Sequence, residues 1–285
     1  MKEYNIGINV NLSKDPEEIV LNRIQNSIKE ILPEANIMIF RNSKGLTKDV
    51  SQKLNLLLAL GGDGTILNTA RSIYGSEVSI FGVNIGNLGF LSSCDLKNFN
   101  YYFKKWVLGD FIINQRMMLK CSINDKMSNF ALNDVVIARE TLSRILKYKI
   151  FIEDKFYTSY TADGIIVSTP TGSTAYSFSA GGPIIYPDLD NICITPICPH
   201  TQLLRSIVLD SNKKITIKFE KLEQNIFLSI DGQNFIKLQE SDEVIISKSQ
   251  EKINLINFKE IDYFTILRTK LINKTRECAG ENDEV

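Results

Sequence analysis

Hydrophobic and polar positions follow two rhythms along the first ninety or so residues. Short apolar runs predict strands, and the run Leu54–Leu60 is apolar enough to be buried on both faces. Over Pro16–Ile31, apolar residues recur every three or four positions, which predicts a helix with Asp15 as its N-cap. The predicted strands are Tyr4–Val10, Ile37–Phe40, Leu54–Leu60 and Ser79–Val83. This alternation of strand and helix indicates a parallel sheet covered by helices.

The pattern changes in the middle of the chain. After a predicted helix at Leu96–Leu108, helical periodicity is weak from about residue 115 to 255, and short β-like segments predict a mostly antiparallel domain. These segments are Met118–Ile123, Phe130–Ala138, Lys147–Ile152, Gly164–Ser168, Lys214–Glu220, Ile226–Ile230 and Glu243–Ser249. The predicted fold class is an α/β N-terminal domain with a parallel, Rossmann-like sheet plus a β-rich C-terminal domain.

Domain boundaries follow from the same change of pattern. We expect residues 1–97 and about 256–275 to form an α/β nucleotide-binding domain, because Ile256–Leu271 returns to a helical pattern. Residues 98–255 would form the β-rich domain. The polar end of the chain, at residues 276–285, is predicted to be a flexible tail.

Composition narrows the class of protein. The chain has 285 residues with 44% apolar and 23% charged content, and its 33 Lys and Arg balance 33 Asp and Glu, which argues against a nucleic-acid partner. No apolar stretch approaches the roughly 20 residues that span a bilayer, and the first ten residues are not a signal peptide. Five cysteines without a C-x-x-C pair are typical of a reducing compartment. We expect a cytoplasmic protein without a membrane partner.

The most informative local feature is a glycine-rich turn after the buried strand. Gly61, Gly62 and Gly64 let the backbone bend sharply, and a helix beginning near Thr65 would direct its positive end to the same place. Such a turn can bind phosphate oxygens. Asp63 would repel them, so its presence favours a chemical role as a base for a hydroxyl or as a cation ligand. The alternative is a tight turn in which Asp63 caps the following helix.

Two further segments carry candidate chemistry. A second glycine-rich strand end, Phe81–Leu91, is expected beside the first at the carboxyl edge of the sheet. Residues 161–183 are rich in hydroxyls, small residues and glycines, which suits the base and ribose of a nucleotide, and Tyr176 adds an aromatic face. The alternative for residues 161–183 is a Ser- and Thr-rich loop between strands.

With these motifs in place, the chain resembles the NAD kinase family, bacterial members in particular. The resemblance covers most of residues 55–240. It rests on Gly61–Thr65, Gly86–Leu91, Leu132–Val136, Asp163–Pro183, Cys198–His200 and Asp231–Gln233. The first motif also occurs in enzymes similar to diacylglycerol kinases and phosphofructokinases, whereas Asp163–Pro183 is far more specific.

The resemblance implies a reaction and a set of site residues. The family transfers the γ-phosphate of ATP to the 2′-hydroxyl of the adenosine ribose of NAD, which gives NADP, and Asp63 matches its proton acceptor. Gly61, Gly62 and Thr65 match the loop that binds the ATP phosphates. Matches to NAD contacts are Asp63, Gly64, Phe90, Asn133, Asp134, Arg144, Asp163, Thr174, Ala175, Tyr176, Ser179 and Gln233.

Within that set, Asn133 and Asp134 match the pair that holds the adenosine part, and Asp163 matches a residue at the nicotinamide end. Many members have Glu where this chain has Asp134, and His where it has Asn87; the shorter Asp134 keeps the charge with less reach. Family members are homodimers or homotetramers, so a homo-oligomer is expected. The chain has a single histidine, His200, for which a structural role or an anion contact is favoured.

General chemistry agrees with this assignment. Phosphoryl transfer needs positioning, charge neutralisation and a carboxylate near the acceptor hydroxyl. We expect Mg²⁺ held mainly by phosphates and no metal site made of protein ligands alone, because no H-E-x-x-H motif or cysteine cluster is present. Two alternatives stay open: a lipid kinase of the diacylglycerol-kinase type, and a module that senses NAD without turnover. Asp231 is interpreted as a turn residue rather than a second base.

Overall fold

The computed structural model describes residues 4–86, 89–140, 146–200, 205–220 and 225–270. These residues form two compact units. The first unit contains the described residues up to Asn114 and from Asn254 onward, and the second runs from Gln115 to Ile253.

A parallel sheet lies at the centre of the first unit. Its strands are β1 (Asn5–Val10), β2 (Asn36–Arg41), β3 (Leu56–Gly61), β4 (Ile80–Asn84) and the two-residue β5 (Cys94–Asp95). The order is β2-β1-β3-β4, and β5 lies beside the end of β4. Every residue of β3 and β4 is buried, which agrees with the continuous apolar runs of their sequences.

Helices cover this sheet. They are α1 (Ile19–Ile31), α2 (Lys48–Ser51), α3 (Asp63–Ser72) and α4 (Phe99–Val107), and residues 263–270 are also helical. Buried Leu21, Ile24 and Ile28 give α1 its apolar face. Phe99 and Phe103 of α4 belong to the same apolar core as β1, β3 and β4. That packing places α4 in the first unit, whereas the sequence-based boundary at residue 97 lies before it.

Antiparallel strands dominate the second unit. One group is β8 (Asp134–Arg139), β11 (Gly164–Ser168), β12 (Asn191–Ile197), β13 (Ile207–Asp210), β15 (Ile226–Ile230) and β16 (Asn234–Leu238). Their order is β13-β12-β11-β8-β15-β16. The other group is β6 (Ile112–Ile123), β7 (Met127–Ala131), β9 (Leu146–Ile152), β10 (Lys155–Ala162), β14 (Ile215–Phe219) and β17 (Glu243–Asn257). An apolar core that includes Ile137, Tyr148, Ile165 and Leu228 fills the second unit.

The fold class predicted from the sequence is confirmed: an α/β unit is followed by a β-rich unit. In the second unit, short helices follow β11, namely a 3₁₀-helix at Thr171–Thr174 and α5 (Tyr176–Ser179). They occupy the segment for which a Ser- and Thr-rich loop was the alternative.

Two local predictions need correction. Helix α1 begins at Ile19, and Asp15 does not occupy the N-cap position; its carboxylate still accepts hydrogen bonds from the backbone N–H groups of Val20 (3.1 Å) and Leu21 (2.8 Å). The predicted strand Phe130–Ala138 is two strands, β7 and β8, because the N–H groups of Leu132 and Asn133 between them donate to the Asp231 side chain instead of a neighbouring strand.

Candidate active site

The glycine-rich turn forms where β3 ends and α3 begins. Gly62 is the N-cap of α3 with an extended backbone, and no side chain caps the helix there. A Cβ at Gly61 would lie 2.1 Å from the hydroxyl oxygen of Thr65, so any other residue here would displace the Thr65 side chain. The Thr65 hydroxyl also accepts a hydrogen bond from the side-chain amide of Asn11 (3.2 Å). The turn is therefore fixed by sterics, and its backbone N–H groups lie at the positive end of a ten-residue helix.

Asp63, the first residue of α3, binds the second glycine-rich segment. Its Oδ2 accepts a hydrogen bond from the backbone N–H of Phe90 (2.9 Å), and its Oδ1 accepts one from Leu91 N–H (3.2 Å). The capping alternative is therefore wrong, because the carboxylate turns away from its own helix. Two backbone donors hold it in one orientation.

Gly89 makes this arrangement possible. A Cβ at Gly89 would lie 1.9 Å from Oδ1 of Asp63 and 2.5 Å from its Cγ. The two glycine-rich segments of the first unit thus meet at one carboxylate, as expected for the carboxyl edge of a parallel sheet. Asn87 lies outside the described residues. The ring of Phe90, predicted to contact NAD, lies 6.3 Å from that of Tyr263, and Gly64 is exposed.

In the second unit, the turn Leu132–Asn133 that separates β7 from β8 is held by Asp231. Oδ1 of Asp231 accepts hydrogen bonds from Asn133 N–H (2.8 Å) and Asp134 N–H (3.2 Å), and Oδ2 accepts one from Leu132 N–H (3.2 Å). Asp231 lies in the turn between β15 and β16, with φ 50°. Asp231 is a turn residue, as interpreted from the sequence. Its side chain also binds the predicted NAD-binding pair, which the sequence did not indicate.

Asp134 is almost fully buried, with 4% of its surface exposed. This burial, and next the negative charge of Asp231, raises the pKa of the Asp134 carboxyl to about 7. Ser168 is the direct cross-strand partner of Asp134, so the two side chains share one face of the sheet. The hydroxyls of Ser168 and Thr171 are buried and make no hydrogen bond to the described residues. Such buried polar groups are typical of a ligand site.

The segment after β11 packs directly on the Asn133–Asp134 pair. Thr169 donates its hydroxyl to the carbonyl of Leu132 (2.6 Å) and its backbone N–H to the carbonyl of Asn133 (2.9 Å). A Cβ at Gly172 would lie 2.1 Å from the Asn133 carbonyl oxygen. Two motifs that are more than thirty residues apart in the sequence, about Asn133 and about Gly172, therefore form one constellation.

The predicted NAD contacts beyond this packing lie on the short helices. Thr174 ends the 3₁₀-helix and Ala175 connects it to α5, where Tyr176 is 46% exposed and Ser179 is exposed. The exposure of Tyr176 is compatible with the predicted contact to a flat ligand, which stays a prediction. Gln233 is exposed in the turn that precedes β16. Arg144 lies outside the described residues.

Asp163 forms an ion pair that the sequence did not indicate. Its Oδ1 lies 2.6 Å from Nη2 of Arg139, and its backbone carbonyl accepts a hydrogen bond from Arg139 N–H (3.1 Å). Arg139 is the residue that sequence reasoning missed here, because a lone arginine at a strand end carries no local signal. His200 is exposed and donates its backbone N–H to the carbonyl of Thr161 (2.9 Å).

Metal-binding side chains do not cluster in the described part of the chain. Among those residues, no group of three or more His, Cys, Asp or Glu side chains is arranged to hold a metal ion. No described helix combines the length and the apolar character needed to cross a bilayer.

Comparison with protein families matches both halves of the chain. The family described as ATP-NAD kinase N-terminal domain matches residues 3–111. The family described as ATP-NAD kinase C-terminal domain matches residues 132–258.

Full-length relatives agree with these matches. A protein named NAD kinase from Clostridium botulinum (strain ATCC 19397 / Type A) is 50% identical over 280 residues, 97% of this chain and 99% of that protein. One of the same name from Clostridium beijerinckii (strain ATCC 51743 / NCIMB 8052) is 46% identical over 281 residues, with the same shares covered.

Solved structures give the same result. The crystal structure of yeast NADH kinase complexed with NADH superposes with a TM-score of 0.79 at 26% identity, covering 93% of this chain and 86% of that one. The structure of an NAD kinase from Archaeoglobus fulgidus in complex with ATP gives a TM-score of 0.78 at 25% identity, covering 93% and 98%.

Proposed function

This chain belongs to the NAD kinase family, and from that membership we infer how its residues transfer the γ-phosphate of ATP to the 2′-hydroxyl of the adenosine ribose of NAD. The product is NADP. The observation that carries the assignment is the match of both ATP-NAD kinase domains, supported by 50% identity over 97% of the chain.

Asp63 is proposed as the proton acceptor that activates the ribose 2′-hydroxyl. Its carboxylate is partly buried and held by the backbone N–H groups of Phe90 and Leu91, so it stays in one orientation. A general base must lie within hydrogen-bond reach of the proton that it removes. Removing that proton raises the nucleophilicity of the oxygen for in-line attack on the γ-phosphorus.

The turn before α3 is proposed to bind the phosphates of ATP. Gly61, Gly62 and Thr65 form the turn at the helix N-terminus, and the open space beside Gly62 leaves room for phosphate oxygens. We further propose Mg²⁺ as the cofactor, bound mainly by the phosphates, where it would neutralise charge that develops during transfer. Asp63 is the acidic side chain of this turn and would be the protein group to add an oxygen ligand.

NAD binding is proposed for the residues that the family motifs indicate. Asn133 and Asp134 would hold the adenosine part, because their turn is fixed from both sides and the buried Ser168 hydroxyl lies on the same face as Asp134. Asp163 would reach the nicotinamide end. The other proposed contacts are Asp63, Gly64, Phe90, Arg144, Thr174, Ala175, Tyr176, Ser179 and Gln233.

The cellular location is proposed from the composition of the chain, and the oligomeric state from the family resemblance. We place the protein in the cytoplasm, as a homodimer or homotetramer.

The lipid-kinase alternative is not favoured, since the matched families and relatives are NAD kinases. It also leaves the constellation about Asn133 and Gly172 without a purpose. The sensing-module alternative differs from the enzyme only in turnover.

One assay separates these alternatives. The purified chain is incubated with ATP, Mg²⁺ and either NAD or diacylglycerol, and NADP is measured with an NADP-specific dehydrogenase. We expect NADP with NAD and no phosphorylated lipid. Binding of NAD without NADP at high protein concentration would identify a sensor instead.

A further inference from the structure

The turn Leu132–Asp134 uses all of its backbone polar groups, and two other residues supply every partner. The Asp231 carboxylate accepts hydrogen bonds from the three N–H groups of the turn, and the Asp231 backbone N–H donates to the carbonyl of Asp134 (2.9 Å). Thr169 binds the carbonyls of Leu132 and Asn133. Because buried backbone groups must be paired, this set of bonds fixes the conformation of the turn.

A carboxylate is the side chain that suits this position. Three N–H groups converge on Asp231, and a carboxylate offers about four lone-pair sites without any donor. An asparagine would direct an NH₂ group at one of those donors. Asp231 is also 7% exposed and adopts φ 50°, a backbone conformation that Asp and Asn tolerate better than most residues.

The same carboxylate has an electrostatic cost. It places a second negative charge beside the buried Asp134, which disfavours the charged form of Asp134. A neutral acceptor in the turn would avoid that repulsion. The arrangement is explained if the exact orientation of the Asn133–Asp134 pair matters more than the lost stability.

We infer that Asp231 is a positioning residue for NAD, which orients Asn133 and Asp134 through the backbone of their turn. The inference rests on the proposed role of that pair. Because Asp231 holds the proposed NAD-binding pair and not the proposed ATP-binding turn, its replacement should raise KM for NAD and leave KM for ATP unchanged.

The test is the variant Asp231→Asn, which keeps size and tolerates the backbone angle. The NH₂ group of the asparagine would face a backbone N–H, so at least one hydrogen bond is lost at a buried site and two donors oppose each other. We expect a rise of about ten- to a hundredfold in KM for NAD. KM for ATP should stay within about twofold and kcat within about threefold. Asp154→Asn is the matched control, because Asp154 also lies in a hairpin turn of the second unit, with φ 61°.

Other outcomes overturn the inference. A merely structural role would reduce the amount of folded enzyme and leave both KM values of the folded fraction unchanged. Equal rises in both KM values, or kinetics like those of Asp154→Asn, would also contradict it.

Should Asp231→Asn fail to fold, Thr169→Val carries the test. It removes the hydroxyl that binds the Leu132 carbonyl, and the same selective rise in KM for NAD is expected; its absence overturns the inference. The proposed function fails separately, if the unmodified chain makes no NADP.

Discussion

The carboxylate of Asp63 lies where a side chain at position 89 would have to go. The missing Cβ of Gly89 would fall 1.9 Å from Oδ1, while the backbone N–H groups of Phe90 and Leu91 hold the two carboxylate oxygens. The second glycine-rich segment thus packs against the carboxylate of the proposed base and binds it. It fixes both the position and the orientation of Asp63.

Gly89→Ala should therefore displace Asp63 and lower kcat. A misplacement of about 1 Å costs roughly a hundredfold in rate at a catalytic group, so we expect a loss of at least about tenfold, with thermal stability measured alongside. Steady-state NADP formation gives the rate.

A double-mutant cycle controls for indirect effects. If Gly89 acts through Asp63, adding Gly89→Ala to Asp63→Asn should cost little more, because the group that it displaces has already lost its function. Additive losses would show that Gly89 acts elsewhere.

Asp134→Asn should stabilise the protein at neutral to alkaline pH. Because burial raises the pKa of Asp134 from 3.8 to about 7, the folded state keeps a proton that the unfolded chain releases above about pH 4. The stability that the protonated Asp134 carboxyl contributes to the folded state is fully present below about pH 4 and is lost as the pH rises through about 7. The variant does not lose it.

Urea unfolding of both proteins at pH 5 and pH 8 measures this effect. From pH 5 to pH 8, the free energy of unfolding of Asp134→Asn should rise by roughly 2–3 kcal/mol relative to that of the unmodified protein, if the m-values agree. A difference independent of pH would contradict the raised pKa. We also expect a higher KM for NAD in Asp134→Asn, because the variant gains stability and loses a proposed NAD-binding carboxyl.

Arg139→Gln should destabilise the second unit, because Asp163 would keep a partly buried charge without its cationic partner. Breaking a buried pair costs about 3–5 kcal/mol, and the partial exposure of Asp163 reduces our expectation to about 1–3 kcal/mol. Adding Asp163→Asn should recover part of the loss. The control Lys214→Gln breaks the more exposed pair with Asp154 and should cost less than about 1 kcal/mol; equal losses would contradict the argument.

Local apolar pattern was enough to predict much of the fold. Gly164–Ser168 and Ile226–Ile230 match the observed strands residue for residue, because a short apolar run of this length is typical of a buried strand. Lys155–Ala162 and Asn234–Leu238 were missed. Most of their residues are polar or exposed, so tertiary pairing and not local pattern makes them strands.

The site divides in the same way. The turn about Asp63 is a local motif and could be predicted. The functions of Gly89 and Asp231 could not, because their partners lie at least 26 residues away in sequence for Gly89 and 97 or more for Asp231. A glycine whose Cβ would strike a distant side chain looks like any other glycine in one sequence. Asp231 likewise looks like an ordinary turn residue.

Asp63→Asn tests the central claim most directly, with Asp49→Asn, another acid in the first turn of a helix of the same unit, as control. NADP formation and NAD binding are measured on the same preparations. We predict that kcat falls about 10²–10⁴-fold while the Kd for NAD stays within about tenfold, because a base is lost and binding groups remain. An Asp63→Asn enzyme that turns over as fast as Asp49→Asn would contradict the assignment of Asp63 as the proton acceptor.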